Sequence, residues 1–258
     1  MSDDDRPRIA LSLIGIGTGN PDHLTREGQV AMRDADLILL PAKRADTAEL
    51  LDLRQALCAS VATDARIVAF DLPERAADGP YRAAVDDWHD AIAAAWARAI
   101  AEHLPAGGRL ALLVWGDPSL YDSSLRVAAR LTAGAMRMTV RVVPGITALQ
   151  ALTAAHAIPL TTLAAPVLVT TGRRLVADGW PSGVDTVAVM LDAKAAYRTV
   201  DPAGVRIWWG AYLGMAQQAI AAGPLAEMRD VIPTIRAELR GRHGWIMDSY
   251  LLRRGPDD

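Results

Sequence analysis

Residues 15–21, Gly-Ile-Gly-Thr-Gly-Asn-Pro, lie at the end of the apolar run of residues 9–16, and this junction of an apolar run with a glycine-rich turn decides the fold. The three glycines let the backbone turn tightly after a strand and approach a ligand closely. Their spacing differs from the dinucleotide-binding pattern Gly-x-Gly-x-x-Gly, since the third glycine comes one residue early and Pro21 follows. The stretch predicts a strand and then a turn, which either only shapes the backbone or forms a ligand loop.

Short apolar runs alternate with longer helical patterns along the rest of the chain, which predicts an α/β fold. In the first half we predict strands at 9–16, 37–40 (stopped by Pro41), 67–70, 109–115 and 139–143. Helices are predicted from about residue 24, capped by Thr25 or Asp22, at 50–59, at 81–103, from about 123, and at 146–156. The run 109–115 is almost wholly apolar, so this strand is expected to be buried on both faces.

The second half has a different pattern of strands and helices. Strands are predicted at 167–170, 186–191 and 205–209 and around 245–248, with helices near 193–200, 216–222 and 225–239. The chain therefore reads as two α/β domains. Residues 1–144 are expected to carry a mainly parallel sheet, and residues 145–258 a mixed sheet.

Composition narrows the classes of function. The chain has 258 residues, 51% of them hydrophobic, and a net charge of −3, which argues against a dedicated nucleic-acid binder. One cysteine and five scattered histidines give no metal-site spacing. No apolar run approaches the roughly 18 residues that span a membrane, and residues 1–8 lack a signal-peptide layout. We expect a soluble cytoplasmic protein with no metal, no nucleic acid and no membrane partner.

Polar residues follow three further predicted strands. Asp117 comes after the buried fourth strand, where it either caps the next helix or accepts hydrogen bonds from a ribose or amino group. Thr147 has the same two possible roles after the fifth strand. Arg173 and Arg174 follow a strand of the second half and either bind carboxylates or remain solvated. Gly-x-Ser-x-Gly, Walker A and His-Glu-x-x-His motifs are missing from the sequence, which favours a transfer reaction whose chemistry comes from a cofactor.

Three of these motifs in order, at residues 15–25, 116–121 and 144–148, resemble the tetrapyrrole (precorrin) methylase family over nearly the whole chain. The segments 114–123, 170–175 and 243–254 are most similar to the members that methylate C-1 of precorrin-5 and release the extruded two-carbon unit as acetate. The resemblance implies two α/β domains with S-adenosylmethionine in the cleft between them, S-adenosylhomocysteine as product, and a homodimer in cobalamin (vitamin B12) biosynthesis.

The resemblance also implies which residues form the site. The implied cofactor contacts are Asp117, Leu120, Thr147, Ala148, Met190, Leu191, Ala211, Tyr212 and Trp245. The first glycine loop, through Gly17, Gly19 and Pro21, is implied to face the precorrin, and Arg173 and Arg174 are expected to bind its carboxylates.

Acetate release needs a base or an oxyanion partner, and the sequence does not choose among the available side chains. The candidates are Tyr121, Asp248 and His243, with Asp192 and Arg173 also available. Alternatives for the whole chain are another precorrin methyltransferase, a methylase acting on a diphthamide precursor, a nicotinamide-dependent oxidoreductase, or a non-catalytic precorrin carrier.

Overall fold

A computed structural model describes residues 7–42, 48–75, 81–134 and 136–255. Residues 1–6, most of the segment that argued against a signal peptide, lie outside the described residues. The chain separates into two compact units. The first contains Met1–Gly17 and Pro21–Ile146, and the second contains Thr18–Asn20 and Thr147–Asp258. The division into folding domains after residue 144 stays a prediction.

The first unit contains a five-stranded parallel sheet, as predicted, in the order β3-β2-β4-β1-β5. Its elements in chain order are β1 (Arg8–Gly15), α1 (Arg26–Arg33), β2 (Leu37–Ala42), α2 (Ala48–Val61), β3 (Arg66–Asp71), α3 (Tyr81–His103), β4 (Gly108–Val114), α4 (Ser124–Ala133) and β5 (Arg137–Val143).

Helices cover both faces of this sheet, and the sequence pattern of each element explains why. The last five residues of β4 are all buried, as its unbroken apolar run predicts. One core layer joins Leu11, Leu112 and the Ile92–Trp96 stripe of α3, and the other joins the opposite face of the strands to α1 and α2. Thr25 is the cap of α1, since its hydroxyl accepts a hydrogen bond from the Gly28 N–H at 3.0 Å.

Pro41 does not stop the second strand, contrary to the prediction, because β2 runs through it to Ala42 and pairs with β3 along its whole length. What ends at this point is the ladder between β2 and β4, which covers only Leu37–Leu39 and Leu110–Leu112. Proline has no N–H to donate, so it tolerates only one bonded edge here.

The second unit contains a mixed sheet in the order β6-β7-β10-β8-β9, in which only β6 and β7 are parallel. Its elements are α5 (Ala148–His156), β6 (Val167–Thr171), α6 (Gly172–Asp178), β7 (Thr186–Met190), β8 (Val205–Ala211), β9 (Ala219–Pro224), α7 (Leu225–His243) and β10 (Asp248–Arg254).

Three predictions for the second unit were wrong, and one helix was missed. Residues 193–200 contain only the 3-10 turn Ala196–Thr199, and 216–222 is not a helix, because β9 pairs with the buried strand β8 and this pairing overrides alanine's helix preference. The last strand begins at Asp248, where the prediction ended it. Helix α6 was missed because its seven residues are too short to show a helical period. Across the described ranges, none of the helices has the length and apolar character needed to cross a membrane.

Candidate functional site

Three glycines pack backbone against backbone at the carboxyl ends of β1, β4 and β5. A Cβ atom on Gly15 would lie 2.6 Å from the Gly145 nitrogen, and one on Gly145 would lie 2.2 Å from the Gly116 oxygen. Gly17 and Gly116 also exchange backbone hydrogen bonds, with φ values of 75° and 68° that favour glycine. Gly15 and Gly145 are therefore needed for the close approach of the three loops, and Gly116 for its backbone conformation, so all three have a structural role.

Asp117 holds two of these loops together. One carboxylate oxygen, Oδ2, accepts a hydrogen bond from the Gly145 N–H at 2.8 Å, and Oδ1 accepts from the Ser119 N–H at 2.8 Å and from the Ser119 hydroxyl. Burial alone would raise the pKa of Asp117, but these hydrogen bonds outweigh it and hold the pKa below its usual value. Asp117 is therefore an ionised acceptor that fixes the loop after β5, rather than the cap of the following helix.

The loop after β4 carries Leu120 and Tyr121. The Leu120 N–H donates to the Asp117 carbonyl, and Tyr121 has φ of 51°, an uncommon conformation for a bulky residue. The Tyr121 side chain is 43% exposed, and partial burial raises the pKa of its hydroxyl. Tyr121 therefore presents a protonated hydroxyl, which is able to donate a hydrogen bond, at the carboxyl edge of the parallel sheet.

The first glycine loop turns sharply after β1. Gly17 and Gly19 have φ values of 75° and 110°, and Pro21 begins a short 3-10 helix that ends at His23. A Cβ atom on Gly17 would lie 2.3 Å from the His23 Cβ. The loop therefore requires glycine at residue 17 both for its backbone conformation and for space.

One edge of the sheet in the second unit gathers most of the other predicted site residues. Thr171 at the end of β6 pairs with Met190 at the end of β7, and Asp248 at the start of β10 pairs with Ala211 at the end of β8. Because β10 runs between β7 and β8, these ends lie at the same edge. Residues within two positions of these strand ends share the edge: Gly172, Arg173, Leu191, Tyr212 and Met247.

Two of the strands at this edge are directly followed by a left-handed residue. Leu191 and Tyr212 have φ values of 54° and 49°, which bulky residues adopt only where the surrounding structure holds them. Leu191 is 66% exposed, whereas Tyr212 is buried and its ring packs edge-on against Trp245 at 4.9 Å and His243 at 5.3 Å. The Tyr212 hydroxyl donates to the Trp245 carbonyl. Tyr212, Trp245 and His243 thus form one aromatic cluster beside β8.

Asp248 is held by two donors. Its Oδ2 atom accepts hydrogen bonds from the Arg236 Nε and the Trp209 Nε1, both at 2.9 Å, and its side chain is 7% exposed. Burial alone would lower the pKa of Arg236, but the hydrogen bonds that it donates to the Asp248 carboxylate, and the charge of that carboxylate, raise it. This carboxylate is a positioning group for β10 and α7, which does not favour Asp248 as a free base.

The Asp192 carboxylate is likewise held by hydrogen bonds from its neighbours. Its two oxygens accept from the Lys194 N–H, the Ala196 N–H and the Tyr250 hydroxyl, at 2.9, 2.6 and 2.7 Å. A Cβ atom on Gly172 would lie 2.4 Å from the Asp192 carboxylate, so the start of α6 packs directly on it. Asp192 shapes the loop after β7.

Thr147 caps α5, one of the two roles predicted for it. The Thr147 hydroxyl accepts from the Leu149 N–H, and Gln150 reaches back to the Thr147 N–H at 3.1 Å, which completes a capping box. Ala148 is the first residue of the helix and is half-buried.

Arg173 and Arg174 lie in the first turn of α6 and are both exposed. Arg174 forms an ion pair with Asp178 at 2.8 Å, one helical turn further on, in which both side chains are largely in solvent. Such a pair is worth little, so Arg174 is able to exchange it for a ligand carboxylate.

Sequence reasoning missed Arg236, which together with Trp209 holds Asp248, and it missed Arg54, a buried arginine of α2. Nothing in the local sequence marks these residues. Arg236 lies in the middle of a helix 12 residues from its partner, and only the packing of α7 on the sheet brings the two together.

The chain belongs to a known family. Residues 10–229 match the family described as Tetrapyrrole (Corrin/Porphyrin) Methylases, and the chain is a member of it. A precorrin-6A synthase [deacetylating] from Sinorhizobium sp is 44% identical over 251 residues, which cover 96% of this chain and 96% of that protein. A precorrin-2 C(20)-methyltransferase from Sinorhizobium sp is 31% identical over 153 residues, 57% of this chain and 59% of that protein.

Solved structures agree with the fold. A cobalamin synthesis related protein (CobF) from Corynebacterium diphtheriae superposes with a TM-score of 0.81 at 36% identity, covering 96% of this chain and 99% of that one. A uroporphyrin-III C-methyl transferase from Thermus thermophilus, complexed with S-adenosylhomocysteine, superposes with a TM-score of 0.57 at 18% identity over 95% of this chain and 97% of that one, and this likeness shows the fold alone.

Proposed function

We propose that this methylase uses S-adenosylmethionine to methylate C-1 of precorrin-5 and releases the extruded two-carbon unit as acetate, which yields precorrin-6A. The observation that carries the proposal is the 44% identity, over almost the full length of both chains, to a precorrin-6A synthase. The strand-end geometry supports it, because ligands of open α/β sheets bind beyond the carboxyl ends of the strands.

The residues at the edge of the second sheet fit an adenosine-containing cofactor. Met190 and the exposed Leu191 offer apolar surface beside strand-end backbone groups, a combination that suits a flat ring with a polar edge. We propose that the cofactor is held by Asp117, Leu120, Thr147, Ala148, Met190, Leu191, Ala211, Tyr212 and Trp245. When bound, S-adenosylmethionine supplies an electrophilic methyl group.

The main task of the chain's own residues is to orient the two reactants and to shield them from water, rather than to gain or lose protons. The enamine-like carbons of a precorrin are electron-rich, so methyl transfer needs alignment of the two reactants rather than a strong base. Acetate release additionally needs water to attack an acyl carbon. Of the three candidates for this step, Tyr121 is exposed and able to donate to an acyl oxygen, His243 packs against Tyr212, and Asp248 is engaged by Arg236.

Isothermal titration with S-adenosylhomocysteine tests the cofactor assignment. We expect tight binding by the native chain, weakening by Asp117→Ala because the loop after β5 loses its anchor, and weakening by Leu191→Asp because a charge replaces apolar contact. Leu163→Asp is the matched control, since Leu163 is 95% exposed and the neighbouring Thr162 bonds to Asp185, at the opposite edge of the sheet.

Circular dichroism and thermal unfolding establish that each variant is folded. No binding by the folded native protein would remove the cofactor and with it the proposed reaction. Equal weakening by Leu191→Asp and Leu163→Asp would contradict the placement of the cofactor at the edge formed by the ends of β7 and β8.

Arg173 and Arg174 are expected to bind substrate carboxylates. The double variant Arg173→Ala with Arg174→Ala should raise the KM for the precorrin about tenfold or more, because hydrogen bonds to charged groups contribute about 1.5–3 kcal/mol each. The affinity for S-adenosylhomocysteine should stay unchanged. Steady-state kinetics at saturating cofactor measure the effect, and an unchanged KM would mean that these arginines do not bind the carboxylates of the precorrin.

A second function is another precorrin C-methyltransferase, favoured by the match over 57% of the chain to a precorrin-2 C(20)-methyltransferase. The mass of the product separates the two, since only the deacetylating reaction adds a methyl group and loses a two-carbon unit. Membership in the methylase family argues against the nicotinamide-dependent oxidoreductase. We also propose a cytoplasmic homodimer, for which light scattering coupled to size-exclusion chromatography gives the mass.

A further inference from the structure

A small cavity of about 190 Å³ lies in the first unit, outside the residues assigned above. It sits beyond the carboxyl ends of β2, β3 and β4, between α2, α3 and the start of α4. Its lining is mostly apolar and aromatic, with a few polar groups, among them Arg54 of α2, Trp96 of α3, and Asp122 and Ser123 before α4. Open α/β sheets bind ligands at this end.

The cavity exists because β2 and β4 separate. Their ladder stops after Leu39 and Leu112, and Pro41 further along β2 has no N–H to continue it. The Leu113 carbonyl of β4 is instead satisfied by the Arg54 Nε, at 3.4 Å. A guanidinium group therefore occupies the place where a strand would have continued.

Arg54 carries its charge into this gap. It is only 9% exposed, and its Nη1 donates to the Leu50 carbonyl at 3.1 Å. Burial lowers the pKa of Arg54 to about 10, against an opposing effect of the nearby Asp122, so the group stays protonated at neutral pH. Among the residues that the structure describes, no carboxylate forms an ion pair with it. A buried cation of this kind is costly unless an anion reaches it.

Two further groups in the lining have hydrogen-bonding capacity. Trp96 is 3% exposed, and its Nε1 has no hydrogen-bond partner among the described residues. The Ser123 hydroxyl lies 2.8 Å from the His89 Nε2 and does not cap α4, although Ser123 occupies the cap position. The Asp122 carboxylate accepts a hydrogen bond from the Ser124 N–H at 2.6 Å, so the start of α4 already compensates part of its negative charge. Arg54 and Trp96 are donors, which together suit an anionic acceptor.

We propose that this cavity binds a carboxylate group, with the Arg54 guanidinium as its ionic partner and the Trp96 Nε1 as a second donor. Cavities for drug-sized ligands measure roughly 300–1,000 Å³, so this one takes a small acid or one acidic side chain of a larger ligand. Two sources have this chemistry. One is free acetate, the acid that the proposed reaction releases, and this source rests on the proposed function. The other is a carboxylate side chain of the tetrapyrrole.

Fluorine NMR of difluoroacetate tests the site without any catalytic assay. We expect the ligand signal to broaden in the presence of the native protein and to sharpen again when acetate competes. Arg54→Gln should lower the affinity about tenfold or more, as expected for the loss of a charged hydrogen-bonding partner. Arg33→Gln is the matched control, because Arg33 also donates to a backbone carbonyl of this unit, that of Val61, and does not line the cavity.

Trp96→Phe provides a second variant should Arg54→Gln fail to fold, since it removes the N–H and keeps an aromatic ring. It should weaken binding several-fold. No broadening with the native protein, or equal broadening with the native protein and the folded Arg54→Gln variant, would overturn the proposal.

The source of the carboxylate follows from the turnover assay. Inhibition by acetate that Arg54→Gln abolishes identifies the released acid as the ligand. A raised KM for the precorrin in Arg54→Gln, without inhibition by acetate, identifies a side chain of the ring, and both results support a carboxylate site. Binding of S-adenosylhomocysteine is measured in parallel, so that failure of this site and failure of the proposed function are told apart.

Discussion

Replacing Gly145 by alanine is expected to destabilise the first unit by about 3 kcal/mol or more, near the upper end of what overpacking causes. The added Cβ would lie 2.2 Å from the Gly116 oxygen and 2.7 Å from the Gly15 carbonyl carbon. Both neighbours are backbone atoms at the ends of buried strands, so neither can move without opening the sheet. The same shift would pull the Gly145 N–H away from Asp117, and we expect S-adenosylhomocysteine binding to be lost as well.

Thermal unfolding followed by circular dichroism measures the effect, and a fall in the midpoint of roughly 6–12 °C corresponds to about 3 kcal/mol in a chain of this size. Gly241→Ala is the control, because this glycine lies inside α7 with nothing within 4 Å of its Cβ position. It should gain about 0.5–1 kcal/mol from helix propensity. A loss below about 1 kcal/mol for Gly145→Ala would show that the three loops relax independently.

The second large effect is expected for Arg236→Met in the other unit. This change leaves the Asp248 carboxylate, 7% exposed, without its cation and removes the donors to the Asp192 and Ala193 carbonyls. Breaking a buried ion pair by removal of one partner costs about 3–5 kcal/mol, because the remaining charge is uncompensated. Since the Arg236 side chain is 16% exposed, solvent screening places our expectation near 3 kcal/mol.

Urea unfolding of Arg236→Met, Asp248→Asn and the double variant separates the pair from its surroundings. The double variant should be more stable than the sum of the two single changes predicts, because contacting charges are coupled. Arg198→Met is the matched control. Arg198 forms a 3.5 Å ion pair with Asp230 of α7, the helix that also carries Arg236, and this exposed pair should contribute less than about 1 kcal/mol. Equal losses for Arg198→Met and Arg236→Met would refute the assignment of Asp248 as a buried, held carboxylate.

The predictions from sequence were most accurate for the first unit. The last residues of β1 and β4 are buried and form apolar runs that end at glycine, and β5 ends directly before Pro144 and Gly145, although most of its residues are exposed. These signals are why β1, β4 and β5 were placed to within two residues. The second unit contains a mixed sheet whose edge strand β9 is rich in alanine. Alanine favours a helix in isolation, and only pairing with β8 makes this segment a strand.

The candidate site divides in the same way. The sequence by itself determined the family and the positions of the loops that form the candidate site. Turns after buried strands require glycine, and Gly15, Gly116 and Gly145 can be identified directly in the sequence. Only the tertiary structure decided what individual side chains do. Asp117 anchors Gly145 across 28 residues, Arg236 holds Asp248, and Arg54 enters the gap that Pro41 leaves in the sheet. These partners are distant in sequence and meet through packing, which no local pattern encodes.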